Sequence, residues 1–188
     1  MSSCLPHPQG AFITIWDQFT ESPLGPSLLW YFAMEMNRYM DRYGFTERDM
    51  ALSAVKNKRN AMGHPCAQLP MELTVDDVVN SVVLAWPVKR LDVSPTSDGA
   101  VALVLAAVHV AKTLSDNPVW IEGVGWNLET FYVGQRDLYY PKQVEFAARQ
   151  AYQMAGIKEP DKEIDVVEPY DPFDYKEFQH LEALLLCG

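Results

Sequence analysis

Hydrophobic residues recur with helical spacing in the first half of the chain. Between Leu28 and Tyr43 an apolar stripe of Leu, Tyr, Phe and Met returns every three or four positions, which predicts a core-facing helix. Ser27 is suited to cap the start of this helix, and Gly44 to end it. A second helix is predicted from Thr46, where Asp49 occupies the capping-box position that Glu or Gln usually takes.

The second predicted helix runs into a basic stretch, residues 56–60, and ends before the tripeptide Gly63–Pro65. Thr74 is suited to cap a short third helix over Val75–Asn80. Val82–Ala85 fits either a strand or a continuation of that helix. The first half of the chain is therefore predicted to be helical and rich in loops.

The pattern changes in the second half, where short apolar runs alternate with amphipathic segments. The predicted strands are Ala100–Leu105, Val119–Gly125 and Ile164–Glu168. The predicted helices are Ala106–Leu114, Gln143–Ala155 and Phe173–Leu186. Two glycines in the second strand indicate a bulge or a close approach of backbone. This alternation predicts an α/β fold with a substantial sheet.

Composition narrows the classes of function. The chain has 188 residues and a net charge of −10, which argues against nucleic-acid binding because phosphate neutralisation requires clustered Lys and Arg. The longest apolar run is too short to span a bilayer, so no membrane association is expected. Three distant cysteines without a metal or redox spacing are typical of free thiols in a reducing cytoplasm. The four histidines also lack a metal-ligand spacing, so no metal site is expected.

Six short motifs in the chain match one family in order and spacing. They are the segment Met34–Gly44, which ends in Y-x-x-x-Y-G, then V-K-N-K-R-N at Val55–Asn60, H-P-C-A-Q at His64–Gln68, S-x-T-S-D-G-A at Ser94–Ala100, I-D-V-V-E-P-Y-D-P-F at Ile164–Phe173 and F-Q-H-L-E-A-L at Phe178–Leu184. Together they resemble the sterol-carrier-protein type of thiolase and its relatives, the lipid-transfer-protein aldolases. The resemblance covers nearly the whole chain.

Several parts of the family's sequence pattern have no counterpart in this chain. Family members are about twice as long, begin with a strand-rich half that carries the nucleophilic cysteine, and end with further catalytic loops. Met1-Ser2 matches the stretch just after the nucleophile region, and the lone Gly-His-Pro at Gly63–Pro65 is not the catalytic one. We therefore expect an internal to C-proximal fragment or a split subunit, inactive by itself. Residues 1–90 would correspond to the loop domain and residues 91–188 to part of the C-terminal thiolase half.

The resemblance implies a catalytic position at Tyr170, just past the last predicted strand. Related enzymes often carry His or Asn there, and a Tyr hydroxyl can also donate a hydrogen bond or a proton. A tyrosine at this position resembles the aldolase branch. Read without the family, Tyr170 is a half-buried aromatic at a strand end. Asp171 is the second candidate, as a base or as a residue that fixes the loop through backbone hydrogen bonds.

The resemblance also implies contacts for coenzyme A. Ser94 matches a family serine beside the pantetheine arm, although a serine before a proline is equally typical of a turn. Lys56, Lys58 and Arg59 form the densest basic cluster in an acidic chain and are candidates for the CoA phosphates, with Lys56 and Arg59 as the predicted contacts. A solvated helix end, where cations complement the helix dipole, explains the same cluster.

Three functions follow as expectations. The first is thiolase-like acyl transfer on a CoA thioester with a bulky or lipid-like acyl group, with no covalently bound cofactor. The second is retro-aldol cleavage of a β-hydroxyacyl-CoA. The third is a non-catalytic assembly or CoA-binding module. The expected partners are an acyl-CoA and either a second copy or a complementary thiolase chain, with room for a small accessory subunit.

Overall fold

A computed structural model describes Thr14 and residues 16–187 of the chain. Cys4, His7 and the Met1-Ser2 match lie outside the described residues. The described residues form seven α-helices and one two-stranded sheet. The helices are α1 (Leu28–Tyr43), α2 (Glu47–Ala61), α3 (Val75–Val79), α4 (Val108–Leu114), α5 (Lys142–Ala155), α6 (Pro160–Glu163) and α7 (Asp174–Ala183). The strands are β1 (Val83–Ala85) and β2 (Val88–Lys89).

The predictions for the first two helices are confirmed, together with their caps. Ser27 Oγ accepts the Trp30 N–H at 3.3 Å at the start of α1. Gly44 ends α1 in the left-handed conformation, with φ of 72°. The Thr46 N–H donates to Asp49 Oδ2 at 2.7 Å, so Asp replaces the usual Glu in the capping box of α2.

Val82–Ala85 was predicted to be either a strand or a continuation of the third helix, and it contains the strand β1, which forms a hairpin with β2. β1 and β2 are antiparallel, and Val83 is paired with Lys89. The predicted third, fourth, fifth and last helices are also present, with ends that differ by a few residues from the prediction. Helix termini fray and are the least certain part of any pattern-based prediction.

The three strands predicted in the second half are wrong for this structure. Residues 100–105, 119–125 and 164–168 form no ladder in the described part of the chain. Val101 and Val104 are 90% and 91% exposed instead of buried. A strand requires a neighbour that accepts and donates its backbone hydrogen bonds, and no segment among the described residues supplies one.

The close backbone approach predicted from two glycines is confirmed. A Cβ added at Gly125 would lie 1.9 Å from the carbonyl oxygen of Ala147, and one at Gly123 would lie 2.1 Å from that of Ala151. Ala147 and Ala151 are one helical turn apart on α5. Only glycine allows the segment at 123–125 to lie directly against the backbone of this helix.

The core lies between α1, α2, α7 and the hairpin. Its buried members are Ala33, Met36, Tyr39, Met50, Val88, Phe173 and Tyr175. A smaller cluster of Ala51, Ala54 and Val78 joins α2 to α3. An isolated antiparallel bridge between Val93 and Phe173 then brings the segment after the hairpin beside the start of α7. This bridge positions the two segments that carry the candidate site residues.

No helix among the described residues is long and apolar enough to cross a membrane.

Candidate functional site

A cavity of about 510 Å³ lies where α2, the loop at 66–69, the segment at 91–99 and the start of α7 meet. Its wall is formed by apolar atoms with a set of polar side chains among them. Those that bear on its chemistry are Asn57, Lys58, Asp92, Ser94, Asp171 and Asp174. A cavity of this size with a few convergent polar groups is the usual form of a small-molecule site.

One face of α2 forms a wall of this cavity. Ala54, Asn57, Lys58 and Ala61 line it, at spacings of three, four and seven residues. These spacings place the four side chains on a single helical stripe, with two small residues that leave room beside the amide and the ammonium. Lys56 and Arg59, which differ in helical phase, are exposed and are not among the lining residues.

Asp171 is held by its neighbours on one side only. Its Oδ2 accepts a hydrogen bond from Asn57 Nδ2 at 2.5 Å. Its Oδ1 is buried and has no hydrogen-bond partner within the described part of the chain. Burial raises the pKa of Asp171 to about 6, and Glu177 adds to the shift, while the hydrogen bond from Asn57 and the charges of Lys56 and Lys58 oppose it. This raised pKa places the protonation change of the carboxyl near pH 6.

The two lysines of the basic stretch have different roles. The Lys56 ammonium pairs with Glu177 on α7, and Asn57 Nδ2 donates to the same carboxylate at 2.8 Å. Lys58 lines the cavity, and burial lowers its pKa while the charge of Asp171 opposes the change. Lys58 is thus the cation of this stretch that faces the cavity.

The structure brings together only some of the residues predicted from sequence. Ser94 and Asp171 meet at the cavity, and the Ser94 N–H donates to the Pro172 carbonyl oxygen at 3.0 Å. Tyr170 is 73% exposed and does not line the cavity. The roles of all five residues, Tyr170, Asp171, Ser94, Lys56 and Arg59, stay predictions.

Sequence reasoning missed Asn57, Asp92 and Asp174, which also line the cavity, and named Lys58 only as one member of the basic cluster. The spacing of Lys58 from Ala54 and Ala61 was a signal for the face of α2 that lines the cavity. Asp92 and Asp174 gave no such signal, because their meeting depends on the register of a bridge between segments about 80 residues apart.

Comparisons with known proteins agree with the motifs. No family model matches the chain. An acetyl-CoA acetyltransferase of Methanothermobacter thermautotrophicus is 35% identical over 178 residues, which are 94% of this chain and 46% of that protein. A 17-hydroxy-3-oxo-4-pregnene-20-carboxyl-CoA lyase of Mycobacterium tuberculosis is 30% identical over 162 residues, 83% of this chain and 42% of that one.

A solved structure described as an Ltp2-ChsH2(DUF35) aldolase superposes with a TM-score of 0.76 at 28% identity, over 84% of this chain and 42% of that one. This chain is a relative of the thiolase superfamily. The resemblance to the sterol-carrier and lipid-transfer branch is thereby confirmed, as is the α/β class with a partial thiolase fold. The chain spans about half the length of the curated relatives it matches.

Proposed function

We propose that this thiolase-superfamily chain contributes the substrate-binding wall of an enzyme that cleaves or forms a carbon–carbon bond in a CoA thioester with a bulky or lipid-like acyl group. The observation that carries the proposal is the cavity in which Ser94 and Asp171 meet. The Ser94 hydroxyl can form a hydrogen bond with an amide of the pantetheine arm. The Asp171 carboxyl, with a pKa of about 6, can exchange a proton with the substrate.

In this proposal the basic residues of α2 have two different roles. Lys58 and Arg59 contact the CoA phosphates, Lys58 from the cavity wall and Arg59 from the exposed side of the same turn. Lys56 acts indirectly, because its ammonium is already paired with Glu177. In this proposal CoA enters as part of the thioester substrate, and the enzyme uses no covalently bound cofactor.

Retro-aldol cleavage of a β-hydroxyacyl-CoA is the second candidate, and the state of Asp171 favours it. A base that removes the β-hydroxyl proton allows the bond between the α and β carbons to break, with its electrons moving into the thioester enolate. Asp171 has an oxygen without a partner among the described residues, and its pKa is raised to about 6. Tyr170 would donate a hydrogen bond to the substrate from the adjacent position. The names of the lyase and the aldolase among the similar proteins support this alternative.

We further propose that residues 1–90 and 91–188 correspond to the loop region and to part of the C-terminal half of the family fold. The working enzyme then includes a second copy or a complementary thiolase chain in a cytoplasmic assembly. The exposed apolar side chains of 101–105 support this, because they have the composition of a strand that a further chain covers.

Binding of a CoA thioether, which keeps the acyl-CoA shape and cannot react, tests the proposal on the full chain. Calorimetry should show that Ser94→Ala and Lys58→Gln each weaken binding about 5- to 10-fold, the effect of one lost hydrogen bond or ion contact. Lys112→Gln, which removes an exposed charge from α4, is the matched control and should bind as the wild type does. Equal affinity in all four proteins, or no binding at millimolar ligand, would refute the proposal.

A further inference from the structure

Two carboxyl groups face each other across the bridge that joins the two site segments. Val93 is bridged to Phe173, and on either side of this bridge Asp92 ends the 3-10 turn Arg90–Asp92 while Asp174 begins α7. The two carboxyl groups are within hydrogen-bonding reach of each other. Both side chains are buried, with 6% exposure for Asp92 and 2% for Asp174.

The backbone satisfies one oxygen of each carboxyl group. Asp92 Oδ2 accepts the Lys89 N–H at 2.6 Å, and Asp174 Oδ1 accepts the Tyr175 N–H at 2.7 Å. The remaining oxygen of Asp174, Oδ2, is buried and meets no donor among the described residues. A buried anionic oxygen without a donor is unfavourable, because it loses its hydration and gains no hydrogen bond in return. A proton shared between the two carboxyl groups removes that cost.

The charges around the pair do not neutralise two carboxylates. The ammonium of Lys89 is engaged by Glu47, and Asp171 adds a further negative charge beside Asp174. Burial raises the pKa of Asp92, and it raises that of Asp174 well above its usual range, with the charge of Asp92 adding to the shift. The other titratable groups near the pair are Glu47 and Lys58 on α2, Lys89 on β2, and Asp171 and Tyr175 beside Asp174.

We propose that Asp174 is protonated at neutral pH and donates a hydrogen bond to the Asp92 carboxylate, and that this bond makes the two residues a positioning pair for Ser94. The pair closes the bridge from one side, and the hydrogen bond from the Ser94 N–H to Pro172 closes it from the other. Ser94 is thereby fixed relative to the loop of Asp171. The part of this inference that concerns substrate rests on the proposed function, while the pair itself does not.

The bridge between the two segments should become less stable as pH rises, because the folded protein binds the Asp174 proton more tightly than the unfolded chain does. The contribution of Asp174 to closing the bridge is complete below its ordinary carboxyl pKa of 3.8 and falls as pH rises toward the raised value of the folded protein. Above that value both groups are charged, and two neighbouring buried carboxylates repel each other. The bridge should therefore open more often at higher pH.

Hydrogen exchange of the Ser94 amide, measured by NMR on the full chain from pH 5 to 8, tests the pair. Asp174→Asn keeps a donor toward Asp92 at every pH and removes the titration. The ratio of its Ser94 protection factor to that of the wild type should rise at least about tenfold between pH 5 and 8, which corresponds to one unit of pKa. Asp165→Asn, which removes an exposed charge upstream of the same loop, should follow the wild type.

Asp92→Asn is the reciprocal variant, because its amide donates to Asp174, and it should show the same rise if Asp174→Asn does not fold. A ratio that stays constant with pH in both Asn variants would overturn the inference. So would a Ser94 amide in Asp165→Asn that gains as much protection as in Asp174→Asn. The CoA thioether titration is a separate arm. Failure to bind CoA with the pH-dependent ratio intact supports the pair and refutes the proposed function alone.

Discussion

Replacement of Lys176 by Met is the sharpest test of how the core of this chain is held together. The Lys176 ammonium lies 2.5 Å from Glu35 Oε2, and Tyr175 Oη donates to the same oxygen at 2.6 Å. Lys176 Nζ also donates to Gln179 Oε1 at 3.0 Å. Both charged side chains are buried, with 7% exposure for Lys176 and 6% for Glu35, so this network joins α1 to α7 through the core.

The size of the effect follows from the charge that is left behind. Met retains the length and apolar character of the Lys176 stem, so little of the loss is due to packing. It removes the ammonium, which also lies over the rings of Phe32 and Tyr175. Glu35 then keeps the Tyr175 hydrogen bond but loses its only cation among the described residues. Removing one partner of a buried pair typically costs about 3–5 kcal/mol, whereas removing both charges is often close to neutral. We expect about 3–5 kcal/mol for Lys176→Met, with about half of it recovered by a second change, Glu35→Gln.

Urea unfolding of the full chain at pH 7 measures these losses. The matched control is Lys162→Met, which breaks an exposed pair with Glu159 and should change stability by less than about 1 kcal/mol. A loss for Lys176→Met that is no larger than for the control would show that the buried pair contributes little. A double variant no more stable than Lys176→Met would show that the unpaired charge of Glu35 is not the cause.

Three further predictions concern packing, pH and catalysis. Gly125→Ala places a methyl group against the carbonyl oxygen of Ala147 and should cost about 3 kcal/mol or more in urea unfolding, whereas Gly134→Ala, which meets open space, should be nearly neutral. Because the pKa of Asp171 is raised to about 6 in the folded protein, its contribution to stability is complete below pH 3.8 and is lost as pH rises through 6. The melting temperature of Asp171→Asn should therefore depend less on pH than that of the wild type between about pH 4 and 7. In the catalytically competent assembly, Tyr170→Phe should lower turnover about 10²–10⁴-fold with unchanged CoA affinity, and an unaffected rate would exclude Tyr170 from the chemistry.

Some features of the candidate site could be predicted from short stretches of sequence, and others depend on contacts between distant segments. The motif around Tyr170 and Asp171 and the motif at Ser94 were both visible in the sequence, because each is a short run of residues. Their meeting at one cavity was not visible, because it is made by the bridge between Val93 and Phe173. The exposure of Tyr170 likewise depends on what packs around the loop and not on its own residues.

The sequence by itself determined the helices of the first half, since caps and apolar stripes act over a few residues. Ser27, Thr46 and Thr74 mark helix starts, and Gly44 marks an end, all through hydrogen bonds or conformations of the adjacent backbone. Tertiary structure alone decided which apolar runs become strands. A ladder requires a partner in space, and 100–105 lacks one among the described residues despite its strand-like composition. It also decided that Asp92 would lie beside Asp174, because contacts between distant segments are set by packing and not by either segment alone.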